Sequence, residues 1–216
     1  MATTNQLVDT IKARLSRKNS PTIAADIVAE LVAAKEELES FPTLPMFLIT
    51  KIDFSVVGDE IGLYSQAEIL RFLKVYNEDG LRYNNGASEE PWVKLEKFES
   101  LDRLIDRHGG TADYPVGYVL VGSSLILRPT PTASIQYRLR FFQAEETVPA
   151  AGNTTLWTQR EPAMLKALAG VKMAQNLRDK DGLALFSQDM QIARKNFINR
   201  MSAAEVADFD SSRGED

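Results

Sequence analysis

The stretch that decides the fold is Tyr114 to Gln143, YPVGYVLVGSSLILRPTPTASIQYRLRFFQ. It predicts three successive strands: Tyr118 to Val121, Leu125 to Leu127 after a tight turn at Gly122-Ser123-Ser124, and Ser134 to Phe142. Pro129 and Pro131 bar regular pairing between the second and third, because proline has no N–H to donate. Along the third strand Ile135, Tyr137, Leu139 and Phe141 share one face and Gln136, Arg138 and Arg140 the other, the two-residue period of a half-buried strand. The expectation is that all three strands form the middle of one sheet.

Upstream, Met46 to Val57 (MFLITKIDFSVV) is rich in β-branched and aromatic residues and reads as a strand. Gly58-Asp59-Glu60 turns, and Ile61 to Tyr64 is expected to pair back on it. Glu68 to Tyr76 fits either a strand or a short helix. Asp79-Gly80 is a hairpin signal, with Leu81 to Asn84 returning. A helical period follows from Lys97 to His108, ended by Gly109-Gly110.

Both ends are helical in pattern. Thr3 and Gln6 form a capping box for a helix over Thr3 to Lys18, with Leu7, Ile11 and Leu15 in one stripe. Ser20-Pro21 starts a second helix, whose stripe is Ile23, Ile27, Leu31, Ala34 and Leu38 and whose wet face holds Lys35, Glu36, Glu37 and Glu39. In the last third, either Thr158 and Glu161 make a capping box or Pro162 is the first helical residue. Ala167, Gly170 and Ala174 are small enough to let a second helix approach. Asp179-Lys180-Asp181-Gly182 reads as a turn, and Leu183, Phe186, Met190, Ala193, Phe197 and Met201 form the seam of the final helix.

Neither helical pair can bury its stripe alone. The predicted fold class is therefore α+β, mainly helical: a bundle of N- and C-terminal helices (3–41 and 158–202) with an inserted antiparallel β-rich region (44–153). Residues 1–202 make one domain, and 203–216 an acidic, flexible tail.

The chain has 216 residues, of which 44% are hydrophobic, enough to fold without a disulfide or metal. Its lack of cysteine removes disulfides, thiolate nucleophiles and cysteine-based metal sites. The net charge of -5 argues against a general nucleic-acid binder. No apolar run is long enough for a bilayer and no signal-peptide pattern is present, which points to a soluble protein made inside the cell.

No catalytic constellation emerges. His108 is the single histidine, so two-histidine metal motifs are excluded, and at a helix end it suits the helix dipole. Phosphate-cradling glycine motifs and a nucleophile elbow are absent. Carboxylates such as Glu89, Glu90, Glu145 and Glu146 read as solvated; the alternative is a pair that hydrolyses a glycoside, as in a tail-associated peptidoglycan hydrolase. Arg138 and Arg140 share a strand face and Arg128 is expected near them; the row is either a solvent face or a track for phosphates or acidic partner groups. Arg194, Lys195 and Arg200 lie opposite the final seam and Phe209 lies in the tail, either as a solvent face or as a helix and tail that dock on a neighbour or partner. Trp92, Trp157, Phe41 and Phe47 sit beside loops and prolines, as core residues or as anchors for a neighbouring subunit.

The order of these elements resembles the phage adaptor, or head–tail connector, family of short-tailed phages. The resemblance is carried by LVDTIKARL and IVAELVAAKEELES, then RFLKVYNEDGLRY and EKFESLDRLIDRHGG, then the Tyr-Pro approach and Arg-Pro-Thr-Pro step of the central stretch, and last by the closing pair EPAMLKALAGVKMAQNLRDKDGLALFSQDMQIARKNFINRM. It implies a virion protein, not an enzyme, with no cofactor or metal. Its members form a ring, usually dodecameric, beneath the portal, and pass double-stranded DNA without sequence specificity. The implied partners are further copies, the portal and tail or nozzle proteins.

Overall fold

A computed structural model describes residues 2–16, 19–63, 72–76, 80–86 and 91–213, with side chains to residue 201. Its helices are Thr4–Arg14 (α1), Ile23–Glu39 (α2), Leu101–His108 (α3), Leu156–Arg160 (α4), Pro162–Leu177 (α5) and Lys180–Arg213 (α6). Its strands are Ile49–Val56 (β1), Glu60–Gly62 (β2), Phe72–Val75 (β3), Leu81–Asn84 (β4), Trp92–Lys94 (β5), Glu96–Lys97 (β6), Thr111–Ala112 (β7), Gly117–Val121 (β8), Ser124–Arg128 (β9), Thr130–Pro131 (β10) and Ile135–Gln143 (β11). The chain divides into two compact units, residues 1–47 with 145–216 and residues 48–144. Strands as well as helices make up a large part of the described residues. The protein is thus α+β but not mainly helical. Among the described residues the inserted region holds every strand, and it has an apolar core of its own.

In the helical unit α5 is the central element, packed against α1, α2, α4 and α6. Its buried residues Leu165, Ala167, Leu168, Ala169 and Gly170 run all the way round it, wider than the stripe expected of a surface helix. The small-residue expectation holds: a Cβ on Gly170 would lie 2.3 Å from the Phe186 ring of α6. The capping box of Thr3 and Gln6 is present. Ser20 is not the cap of α2, however; Thr22 takes that position and Ser20 belongs to the turn before it, where the Ile23 N–H donates to the Ser20 carbonyl. Of the two starts open for the later helix, Pro162 is the first residue of α5, and Thr155 with Thr158 caps the short α4 instead. Asp179 to Gly182 is a helix start rather than a free turn. Arg178 terminates α5 at positive φ, and the Asp179 carboxylate accepts from the Gly182 and Ser16 N–H groups at 3.0 and 2.7 Å. Those amide donors hold Asp179 below the usual carboxylate range. The helix α6 continues through Ser202 to Arg213.

In the β unit, β1, β11, β4 and β5 form one sheet in that order, with β3 also on β11. A second sheet runs β2, β9, β8, β6. The central stretch is therefore split between sheets: β8 and β9 form a hairpin across Gly122, at φ 59°, while β11 is the spine of the other sheet. Pro129 and Pro131 are where the chain changes sheet. The inner face of β11 is as the alternation predicts, with Ile135, Tyr137, Leu139 and Phe141 buried against Ile61, Tyr118, Leu125 and Leu127 of the facing sheet. Phe98, Leu104 and Val119 bury α3 on that sheet's other side. This helix starts at Leu101, capped by Ser100, because Glu96 and Lys97 pair with β8 as a strand.

Two pairings differ from expectation. The segment after the Gly58 turn joins β9, not β1, and β1 itself begins only after a 3-10 turn at Met46–Leu48. Nor do β3 and β4 pair with each other as a hairpin among the described residues. Both strands run antiparallel to β11, one after the other along it, and the backbone of Arg140 bonds to Tyr76 on one side and Gly80 on the other. Residue 79 of the expected turn lies outside the described residues. Only glycine fits at position 80, where a Cβ would come within 2.0 Å of Val75 Cγ1 and 2.6 Å of the Tyr76 carbonyl oxygen.

Candidate functional site

The three arginines of the central stretch do not form one row. Arg128 ends β9, where its guanidinium pairs with Asp59 and donates to the Leu127 carbonyl and to Thr130 Oγ1 at 2.9 and 3.1 Å. Arg138 and Arg140 do share the outer face of β11. Arg138 forks onto Asp53 of β1, Nε to Oδ1 at 2.8 Å and Nη2 to Oδ2 at 2.7 Å, and lies 4.0 Å over the Trp92 ring. Arg140 lies 4.7 Å over the Tyr76 ring. Bidentate geometry and an aromatic floor fix a guanidinium plane. The arginine hydrogen bonds hold both Asp53 and Asp59 below the usual carboxylate range.

The register adds cations that the sequence alone did not bring together. One rung across the sheet reads Asp53, Arg138, Arg82, Lys94, and the next pairs Lys51 with Arg140. Pairing register is a tertiary fact, so only the alternation within each strand foreshadowed this face.

A second cluster was missed altogether. Lys35 and Glu39, expected on the wet face of α2, are 2% and 8% exposed. Lys35 Nζ lies 2.9 Å from Glu39 Oε1 and donates to the Glu145 carbonyl at 2.7 Å. Glu39 Oε1 also accepts from the Glu145 N–H and from Trp157 Nε1, both at 3.1 Å. The Glu145 carboxylate in turn accepts from the Leu156 N–H at 2.5 Å, at the start of α4; burial pushes its pKa up. Trp157 is sealed in this core with Phe47 edge-on to it at 5.2 Å. Each charge has a partner, which is the condition for burying it. Among the described residues these groups are bonded to one another and to the Leu156 and Trp157 N–H donors. The one hint was the four-residue spacing of Lys35 and Glu39 beside Leu38.

On α6, Arg194 and Lys195 are exposed, whereas Arg200 forks onto the buried Glu161 at the start of α5, with Nε donating to Oε1 at 3.1 Å. The side chain of Phe209 lies outside the described residues. Leu185, Ile192 and Ile198 stand about half exposed on the same helix. Phe41, Met164, Arg194, Phe197 and Ile198 line an open groove of about 350 Å³. His108 ends α3 with its ring edge-on to Phe98 at 5.6 Å.

Among the described residues no group of three histidine or acidic side chains could hold a metal, and no helix is long and apolar enough to cross a membrane. No protein-family model matches the chain, and no curated protein sequence matches it.

Proposed function

We propose that the chain is a structural virion protein, a head-to-tail adaptor that assembles as a ring beneath the portal, extends the DNA channel and gives the tail its platform. Its partners are copies of itself, the portal and tail proteins. Its place is the capsid vertex, and it performs no catalysis. The observation that carries this reading is α6. At 34 residues it is ~51 Å long, and it presents Leu185, Ile192 and Ile198 about half exposed. Apolar side chains left on a long helix are the material of lateral contacts between like subunits. The clamping of Arg128 and Arg138 by carboxylates supports a channel wall rather than a phosphate grip, since an engaged guanidinium makes few new phosphate contacts.

Mass photometry and negative-stain microscopy of the purified chain, alone and with the portal, test the reading. The expected result is a discrete ring on the portal. A chain that leaves the portal bare and cleaves peptidoglycan, or one that shifts duplex DNA with steep salt dependence, would sink it in favour of a hydrolase or a packaging factor.

A further inference from the structure

The groove beside α6 is apolar on its floor and basic at its rim. Phe41, Pro42, Met164, Phe197 and Ile198 line it, Arg194 edges it, and among the described residues no acidic side chain borders it. Lys195 is exposed next to Arg194. At about 350 Å³ it falls in the size class of pockets that hold a small ligand or a few anchoring side chains.

The same chain ends in AAEVADFDSSRGED, residues 203–216, with five acidic residues against the single Arg213. Val206 and Phe209 are the large apolar residues of this segment, three apart, the spacing of neighbours on a helix. The backbone of α6 is helical through Arg213. Phe209 therefore lies ~16 Å beyond Ile198 along one continuous helix, and a chain cannot turn its own end back into its own groove. Another copy can supply it.

We propose that the groove of one copy receives the C-terminal segment 203–216 of the next, Phe209 filling the apolar floor and the acidic residues facing Arg194 and Lys195. Groove and segment are different surfaces, so the contact is heterologous: each copy gives one and takes one, and the series closes where the rotation permits. This contact rests on the ring reading above and specifies which surfaces meet.

The test uses a labelled peptide of residues 203–216 and full-length protein carrying Phe209→Asp, whose own segment no longer competes. Fluorescence anisotropy is expected to show saturable binding, about tenfold weaker when Ile198→Asp is added and about fivefold weaker with Arg194→Glu or in high salt. Circular dichroism checks that the variants fold; where Ile198→Asp loses helix signal, Arg194→Glu at the rim decides. Absence of saturable binding, or binding that the groove variant leaves unchanged, overturns the contact. Rings formed on the portal by the Phe209→Asp protein would overturn this contact and leave the adaptor reading standing. Peptide capture without rings from the parent chain would do the reverse.

Discussion

In the helical unit a lysine and a glutamate lie inside, tied to Trp157 and to the backbone of Glu145. In the β unit the ion pairs Arg138–Asp53 and Arg128–Asp59 are only partly buried, and the core between the sheets is apolar. A sheet sorts charge by its pleat, so one face takes every polar residue and nothing charged need go inside. Where α2 is covered on more than one side, its wet stripe narrows and the outermost charges are caught. Caught charges demand exact partners. The helical unit should therefore be brittle to changes of charge, and the β unit tolerant of them.

Each unit holds one of the two tryptophans, Trp157 in the helical and Trp92 in the β unit, so single-tryptophan variants can report each separately. The largest expected effect is Glu39→Ala, which strands Lys35 in the core and should cost the helical unit ~3–5 kcal/mol in urea unfolding followed by Trp157. The double change Lys35→Met with Glu39→Leu should restore most of that loss. Should the single variant unfold like the parent, the contrast between the units fails at its root. Next comes close packing, where the units should behave alike. Gly170→Ala and Gly80→Ala should each cost ~1–3 kcal/mol, the first partly rescued by Phe186→Leu and the second not, because its clash includes backbone. Asp53→Asn should cost the β unit at most ~1 kcal/mol, since the pair is about a third exposed.

The smallest effect is the response to pH. Asp53 and Asp59 have folded values below their ordinary 3.8. The stability they contribute is complete above that value and is lost as pH falls through the lowered ones. Asp179 acts in the same sense in the helical unit. Glu145 acts in the opposite sense: its folded value lies above its ordinary 4.5, so the helical unit gains stability as pH falls from neutrality toward 4.5. Unfolding midpoints of the Trp157 reporter should show that rise, and Glu145→Gln should flatten it. The Trp92 reporter should be level over the same range.

Local chemistry was legible wherever one segment settles its own structure. The Thr3 and Gln6 capping box, the inner face of β11 and the close approach at Gly170 all follow from residues within a few positions of one another. Partner choice was not. Nothing near Ile61 says that it joins β9 rather than β1, and Asp79-Gly80 has the chemistry of a hairpin where the chain instead resumes along the same neighbour. The weight of strand in the molecule was underread for the same reason, since short strands such as β6 and β7 exist only through their partners. Of the basic residues, Arg138 and Arg140 were placed on their shared face by alternation, but Arg82, Lys94 and the carboxylates that hold Arg128 and Arg138 arrive through register.

The strands that open and close the β unit are neighbours, Ile49 standing opposite Phe142 in an antiparallel ladder. Partners in such a ladder have their Cα atoms ~5 Å apart, so the whole insertion enters and leaves through a single narrow doorway. A segment with adjoining ends can be lifted out and another grafted in its stead without rethreading the host. Lineages of such proteins could then trade what they display at this position while the helical scaffold stays the same.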